Sequence, residues 1–70
     1  MVIVSFHTTA EAFAFEKACR SNSIEGRLTT VPRAISAGCG LAWRAPISSC
    51  ATIEAFIKEM DLEYEGIYEI

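Results

Sequence analysis

The sequence predicts the α+β fold class, folded as a single domain over residues 1–70. A chain of 70 residues has enough apolar surface for only one hydrophobic core. Each half contains a strand-like run, a helix-like run and a second strand-like run, and the motif TAEAF at 9–13 is echoed by TIEAF at 52–56. Two such halves predict the ferredoxin-like split βαβ arrangement (βαββαβ), an antiparallel four-stranded sheet with both helices on one face.

The first half begins with a β-branched and aromatic run at residues 2–6 (VIVSF), which is typical of a buried strand. Thr8 stands three residues before Glu11, the spacing at which a hydroxyl and a carboxylate cap the first turn of a helix. The predicted helix covers residues 9–21. Its apolar side carries Ala12, Phe15, Ala18 and Cys19.

The rest of the chain predicts three more strands and a second helix. The strands cover residues 24–31, 41–45 and 63–70. A connector of small residues, 33–40, separates the first two of these strands, because Pro32 has no amide hydrogen for a sheet ladder. The second helix follows a capping serine, Ser48 or Ser49, and runs to about Met60.

Composition excludes several classes of function. The net charge is -3 and the six Lys and Arg residues are scattered, which disfavours nucleic-acid binding. No apolar run is long enough to cross a membrane and no signal-type segment is visible, so we expect a cytoplasmic protein. Hydrophobic residues make up 51% of the chain and its mean hydropathy is +0.28, so we expect some apolar surface to meet a partner, most simply in a homodimer.

The three cysteines are the residues most able to carry chemistry. An odd number without paired spacing predicts free thiols in a reducing compartment. No Cys/His cluster has the spacing of a zinc site, so we expect no metal, and no pattern predicts a cofactor. With a single histidine and no serine nucleophile beside it, a hydrolytic triad is unsupported, which favours a carrier or binding protein over a turnover enzyme.

Cys39 is the strongest candidate for a functional residue, because it stands between Gly38 and Gly40. Flanking glycines let the backbone turn and leave a sulfur uncovered, as a reacting thiol requires. The alternative is that the glycines shape a loop and Cys39 is a small apolar filler. Cys19 is interpreted as core. Cys50, in the first turn of the second helix, could be a reactive or resolving thiol, but neighbouring serines make helix capping the ordinary explanation there.

The predicted fold adds possible neighbours for Cys39. In the split βαβ sheet the start of the third strand lies beside the end of the first, which places Cys39 near His7 and the amino end of the first helix. Unpaired amides and the helix dipole there would stabilise a thiolate, and Arg33 on the connector could add positive charge. His7 could equally be a polar residue at the start of a helix, and Arg33 a solvated charge.

A family resemblance rests on the connector and on the end of the chain. The residues that carry it are Val31-Pro32-Arg33, Ile35-Ser36, Cys39-Gly40-Leu41-Ala42, Arg44 and Tyr64-Glu65-Gly66-Ile67-Tyr68. This pattern resembles the core motif of a family of small bacterial proteins described as selenium/sulfur carrier-like. Ala34 departs from it, since we expect an acidic residue after the arginine, and so removes a neighbouring ion-pair partner for Arg33.

The resemblance implies that Cys39 holds sulfur or selenium as a persulfide or perselenide. Donor and acceptor proteins for the chalcogen would then be the partners. The competing hypothesis is a regulatory or dimerisation module that binds a small molecule or an anion without covalent chemistry. In that case the amides of residues 36–40, aided by Arg33, would hold the anion. Fold alone does not decide between the two.

Overall fold

The computed structural model describes residues 1–35 and 38–70, and the predictions that fall on Ser36 and Ala37 lie outside it. Four strands and two helices occur in the described chain. Their bounds are β1 Val2–Ser5, α1 Thr9–Ser21, β2 Arg27–Thr30, β3 Leu41–Ala45, α2 Cys50–Met60 and β4 Gly66–Glu69. A single 3-10 turn, Ile47–Ser49, precedes α2. No helix of the described chain is long and apolar enough to span a membrane.

The strands form one antiparallel sheet in the order β2-β3-β1-β4, which confirms the predicted α+β class. β3 lies between β1 and β2, so each βαβ half is split by a strand of the other half. In the register, Val4 of the central strand β1 stands opposite Trp43 of β3 and Ile67 of β4. The edges of the sheet are therefore β2 and β4.

The main core lies between the sheet and the two helices. Phe15 of α1 is in contact with Phe6 and Trp43, with ring centroids 5.2 and 5.8 Å away respectively. Tilted aromatic pairs of this kind add a little to the stabilisation that comes from burial alone. The other members of this core include Val2, Val4, Ala12, Cys19, Ile53, Phe56 and Ile57. Because residues of both helices join one cluster with one face of the sheet, both helices cover that face.

A smaller core lies on the opposite face of the sheet, here called the open face. Ile35 of the connector packs against Ile3 and Ala42 there and is only 7% exposed. Two backbone hydrogen bonds shape the connector: Val31 N–H donates to the Gly40 carbonyl (2.9 Å), and the Ile35 N–H closes a turn (3.0 Å). The connector is thus folded back and anchored on the open face by one apolar side chain.

Several predicted boundaries need correction. β2 begins at Arg27, because Gly26 has a φ of +131° and the chain bends there beside the Trp43 indole. Strands β1 and β4 are also shorter than predicted. Ser49 does occupy the N-cap of α2, but it makes no capping bond. The preceding 3-10 turn gives Ser49 a helical backbone, and its hydroxyl donates to Glu25 Oε1 at 3.2 Å instead. In α1 the predicted bounds and the Thr8 cap are confirmed.

Candidate functional site

The segment Gly38-Cys39-Gly40 is a turn that leads directly into β3. Since β1 and β3 are antiparallel, this turn lies beside the carboxyl end of β1, where α1 begins. Gly38 meets the backbone of His7 there: a Cβ at position 38 would be 3.1 Å from the His7 carbonyl oxygen. A side chain would crowd that approach, so glycine at position 38 lets the connector close onto β1.

Glycine is favoured at position 40 for a different reason, the conformation of the backbone. Its φ is +75°, in the left-handed region that L side chains rarely adopt, while a Cβ there would meet no atom within 4 Å. Its carbonyl accepts the bond from Val31 that closes the connector. The two glycines therefore hold Cys39 in place by two independent effects, one steric and one conformational.

The Cys39 thiol is half-buried and unpaired. Its Sγ lies 3.4 Å from the Leu41 amide nitrogen and 3.6 Å from the Leu41 carbonyl oxygen. The amide can donate to the sulfur, and a neutral thiol can donate to the carbonyl. The side chain also packs against the edge of the main core. The residue is thus partly exposed, and its sulfur lies within hydrogen-bond distance of two backbone groups of β3.

His7 stands just before α1 as a polar residue at the start of that helix, one of the two roles that the sequence left open. Its ring Nδ1 lies 3.2 Å from Glu11 Oε1, and its backbone N–H donates to the same oxygen at 2.8 Å. This backbone hydrogen bond is the main cause that lowers the pKa of the Glu11 carboxyl. The ring is therefore paired with α1, and the His7 carbonyl is the part that faces the connector. Sequence reasoning missed this pair, although the spacing of four residues could have indicated it.

Arg33 lies exposed in the turn that the Ile35 amide closes. Within the described residues no carboxylate is paired with it. Its contribution to a charge on Cys39 stays a prediction. The proposed anion cradle at 36–40 includes Ser36 and Ala37, which lie outside the described residues.

The other two cysteines are poorly placed for chemistry. Cys19 is fully buried, and burial raises the pKa of its thiol to about 12. Cys50 donates to Glu54 Oε1 at 3.2 Å, and this hydrogen bond is the main cause that raises the pKa of the Cys50 thiol. The Glu54 carboxylate one turn away therefore acts against the lowered pKa of the Cys50 thiol that a helix amino end would favour. Cys39 and Cys50 also stand before and after β3, so a resolving role for Cys50 has no support.

A cavity of about 490 Å³ lies at the same end of the sheet, between α1 and the segment after α2. Its rim carries three carboxylates, those of Glu11, Asp61 and Glu63. The amino end of α1 faces this acidic rim, and the side chain of Glu11 already uses the nearby His7 amide. This arrangement disfavours a second anion at the start of α1.

Fold and site together define a small α+β domain with a half-buried, glycine-flanked thiol, that of Cys39, at the start of the central strand β3. The chain belongs to the family described as "Putative Se/S carrier protein-like", whose model matches residues 1–69. This confirms the family that the connector motif indicated. A search of curated proteins found no match, and a search of solved structures found none either.

Proposed function

We propose that this protein carries one sulfur or selenium atom on Cys39, as a persulfide or perselenide, and delivers it to a partner protein. The observation that carries the proposal is the contrast among the three thiols. Cys19 is buried and Cys50 is bound to a carboxylate, whereas Cys39 is partly exposed in a turn shaped by two glycines. Family membership supplies the class of cargo.

The loading step is a transfer of sulfane sulfur between thiolates. The Cys39 thiolate attacks the terminal sulfur of a persulfide R–S–SH on a donor protein. A new S–S bond forms on Cys39, the donor S–S bond breaks, and its electron pair leaves with the donor as the thiolate R–S⁻. No net oxidation occurs, and delivery is the same exchange with an acceptor thiolate. A donor selenium atom follows the same course and gives Cys39 S–SeH.

The surroundings of Cys39 meet the needs of this exchange. The Leu41 amide lies within reach of Sγ and can donate to a sulfur that becomes negative. The two glycines add no side chain beside the thiol, so a donor can approach it. A carrier needs no further catalytic group, which agrees with a site built from one thiol and backbone atoms.

Donor and acceptor proteins, a homodimer and a cytoplasmic location complete the proposal. Three free thiols fit a reducing compartment.

Support for self-association comes from exposed apolar side chains near the edge strand β4. These are Tyr64, Tyr68 and Ile70, at 38, 38 and 58% exposure. An unpaired strand edge flanked by such residues favours pairing between two copies. Light scattering at micromolar concentration tests this, and a monomer at 7.7 kDa contradicts the dimer.

Intact-mass spectrometry tests the carrier function. The protein is purified without reductant, incubated with glutathione persulfide and freed of small molecules. We expect a gain of one sulfur atom, located on the peptide that contains Cys39 and removed by dithiothreitol. The matched control is Cys50→Ser, which should still be loaded. If Cys39→Ser gains the same mass as the unmodified protein, the assignment to Cys39 is wrong.

Delivery needs a second measurement, because a thiol can be loaded without being a carrier. Loaded protein is mixed with an excess of a thiol acceptor, and the mass of both species is followed over time. We expect the added sulfur to leave the protein as the acceptor gains it. Release as free sulfide with no gain by the acceptor would contradict the carrier function.

A further inference from the structure

Two arginines stand directly opposite each other on the open face of the sheet. Arg27 of β2 and Arg44 of β3 are register partners, and Arg44 is also paired with Ile3 of β1. Directly opposed residues of an antiparallel pair lie on the same face. Since Ile3 packs in the core under the connector, both arginines belong to the open face, away from the helices.

Neither guanidinium is neutralised by the protein. All nine acidic residues lie in the described chain, because the two residues outside it are Ser36 and Ala37. Within that part of the chain the ion pairs join His7 to Glu11 and Arg20 to Glu16, and no carboxylate is paired with Arg27 or Arg44. Like charges directly opposite each other destabilise a sheet. The pair therefore costs stability unless an anion lies between the side chains.

Glu25 is the carboxylate best placed to compensate Arg27, since it lies two residues away and lines the same cavity. Its Oε1, however, accepts the hydrogen bond from Ser49 at 3.2 Å. Arg44 lies beside the Met1 side chain, which lines the same cavity. The Glu25 carboxylate thus lies in the lining of the same cavity, but it is engaged by Ser49 and forms no ion pair with either arginine.

Two shallow cavities meet at Arg44. One, of about 500 Å³, is lined by both arginines, by Ala45 and Pro46, and by Glu25, whose carboxylate accepts the hydrogen bond from Ser49. The other, of about 340 Å³, extends over Ile3 to Val31 and Pro32 of the connector. The two share Met1 and Arg44 in their linings. Two arginines beside the apolar side chains of Ile3, Val31 and Pro32 are suited to an anion that carries a small apolar body.

We propose that Arg27 and Arg44 form a binding site for a phosphate monoester, a doubly charged oxyanion borne on a small organic molecule. Two guanidinium groups offer forked donors that match the oxygens of such a group, and its charge removes the repulsion between them. This site is separate from Cys39. It lies three residues along β3 from Leu41, toward the opposite end of the sheet.

Calorimetric titration at low ionic strength tests the site, with inorganic phosphate and phenyl phosphate as the two probes. We expect phenyl phosphate to bind, and to bind more tightly than inorganic phosphate because of the apolar walls. Arg44→Gln should weaken binding by about tenfold or more, the usual effect of losing a hydrogen bond to a charged group. Arg20→Gln is the matched control, because Arg20 is paired with Glu16 on α1, and should leave binding unchanged.

Thermal unfolding gives a second readout, and its first comparison uses no probe. In an anion-free buffer Arg27→Gln should raise the melting temperature, because it removes the opposed charge. Added phenyl phosphate should then stabilise the unmodified protein but not the variant.

In the calorimetric titration, equal binding of the two probes would identify the free ion as the ligand. Equal loss of binding in Arg20→Gln and Arg44→Gln, or no binding of either probe, would overturn the site. Cys39→Ser should bind normally.

Discussion

Gly38 lies against the backbone of His7, so close that a Cβ at position 38 would be 3.1 Å from the His7 carbonyl oxygen. This approach joins the end of the connector to the end of β1. It also sets the position from which Cys39 enters β3. The position of the Cys39 thiol therefore depends on two things: the local turn, and the approach of Gly38 to His7 in the segment that follows β1.

Alanine at position 38 should move this turn. The 3.1 Å contact requires the His7 carbonyl or the connector to shift by a few tenths of an ångström. We expect changed NMR shifts of the His7 and Cys39 amides, with an altered rate of Cys39 alkylation. Gly40→Ala is the matched variant: space is open there, but φ is +75°, so it should lower the free energy of unfolding by about 1 kcal/mol. Unchanged His7 shifts in Gly38→Ala would contradict the close approach.

Alkylation with iodoacetamide at pH 8 should modify Cys39 before the other two thiols. Burial raises the pKa of Cys19 to about 12, and Glu54 raises the pKa of Cys50, so both have a smaller thiolate fraction at that pH. Glu54→Gln should lower the pKa of Cys50 and speed its alkylation without changing that of Cys39. Peptide mass spectrometry measures the order. Modification of Cys50 before Cys39 in the unmodified protein would show that the wrong thiol was chosen.

Local patterns predicted much of the fold. The apolar spacing and the Thr8 cap define α1, and Trp43 and Ala42 lie on opposite faces of β3 as successive residues of a strand should. These features depend on neighbours in the sequence. Cys39 could be singled out for the same reason, because its glycines flank it directly.

Features that depend on long-range pairing were not accessible from the sequence. The opposition of Arg27 and Arg44 follows from the register of β2 against β3, and a shift of one residue would remove it. Two other contacts likewise join segments that are far apart in the chain. Ile35 packs on the open face of the sheet, and the Ser49 hydroxyl donates to Glu25. Local rules favoured a serine cap because they carry no information about Glu25.

Stability should fall in acid partly because of Glu11. Its pKa is below the usual 4.5 in the folded state, chiefly because the His7 amide donates to its carboxylate. A lowered folded pKa contributes stability above the unfolded value, and this is lost as pH falls through the folded pKa. Glu11→Gln should therefore be less stable than the unmodified protein at pH 6, with the difference shrinking below about pH 4.5. Melting temperatures across pH 3 to 7 measure this.

The matched variant for that experiment is Thr8→Ala. It removes the hydroxyl that accepts from the Glu11 amide at 3.2 Å and should cost about 1 kcal/mol. That loss should be nearly constant with pH, because a hydroxyl does not titrate in this range. A Glu11→Gln difference that is equally constant would contradict the role of the carboxylate charge.

Serine substitution at two cysteines should separate chemistry from packing. Cys19 is fully buried in the main core, so Cys19→Ser places a hydroxyl among apolar side chains and should cost roughly 1 to 3 kcal/mol. Cys39 is half-buried at the edge of that core, and a serine oxygen there can still meet the Leu41 amide and carbonyl, so Cys39→Ser should cost less. The effects on chalcogen loading should be the reverse of the effects on stability. Loading should be lost in Cys39→Ser and retained in Cys19→Ser. Urea unfolding and intact mass on the same samples measure both. If Cys39→Ser unfolds the protein, Cys39 is a structural residue and the carrier function fails.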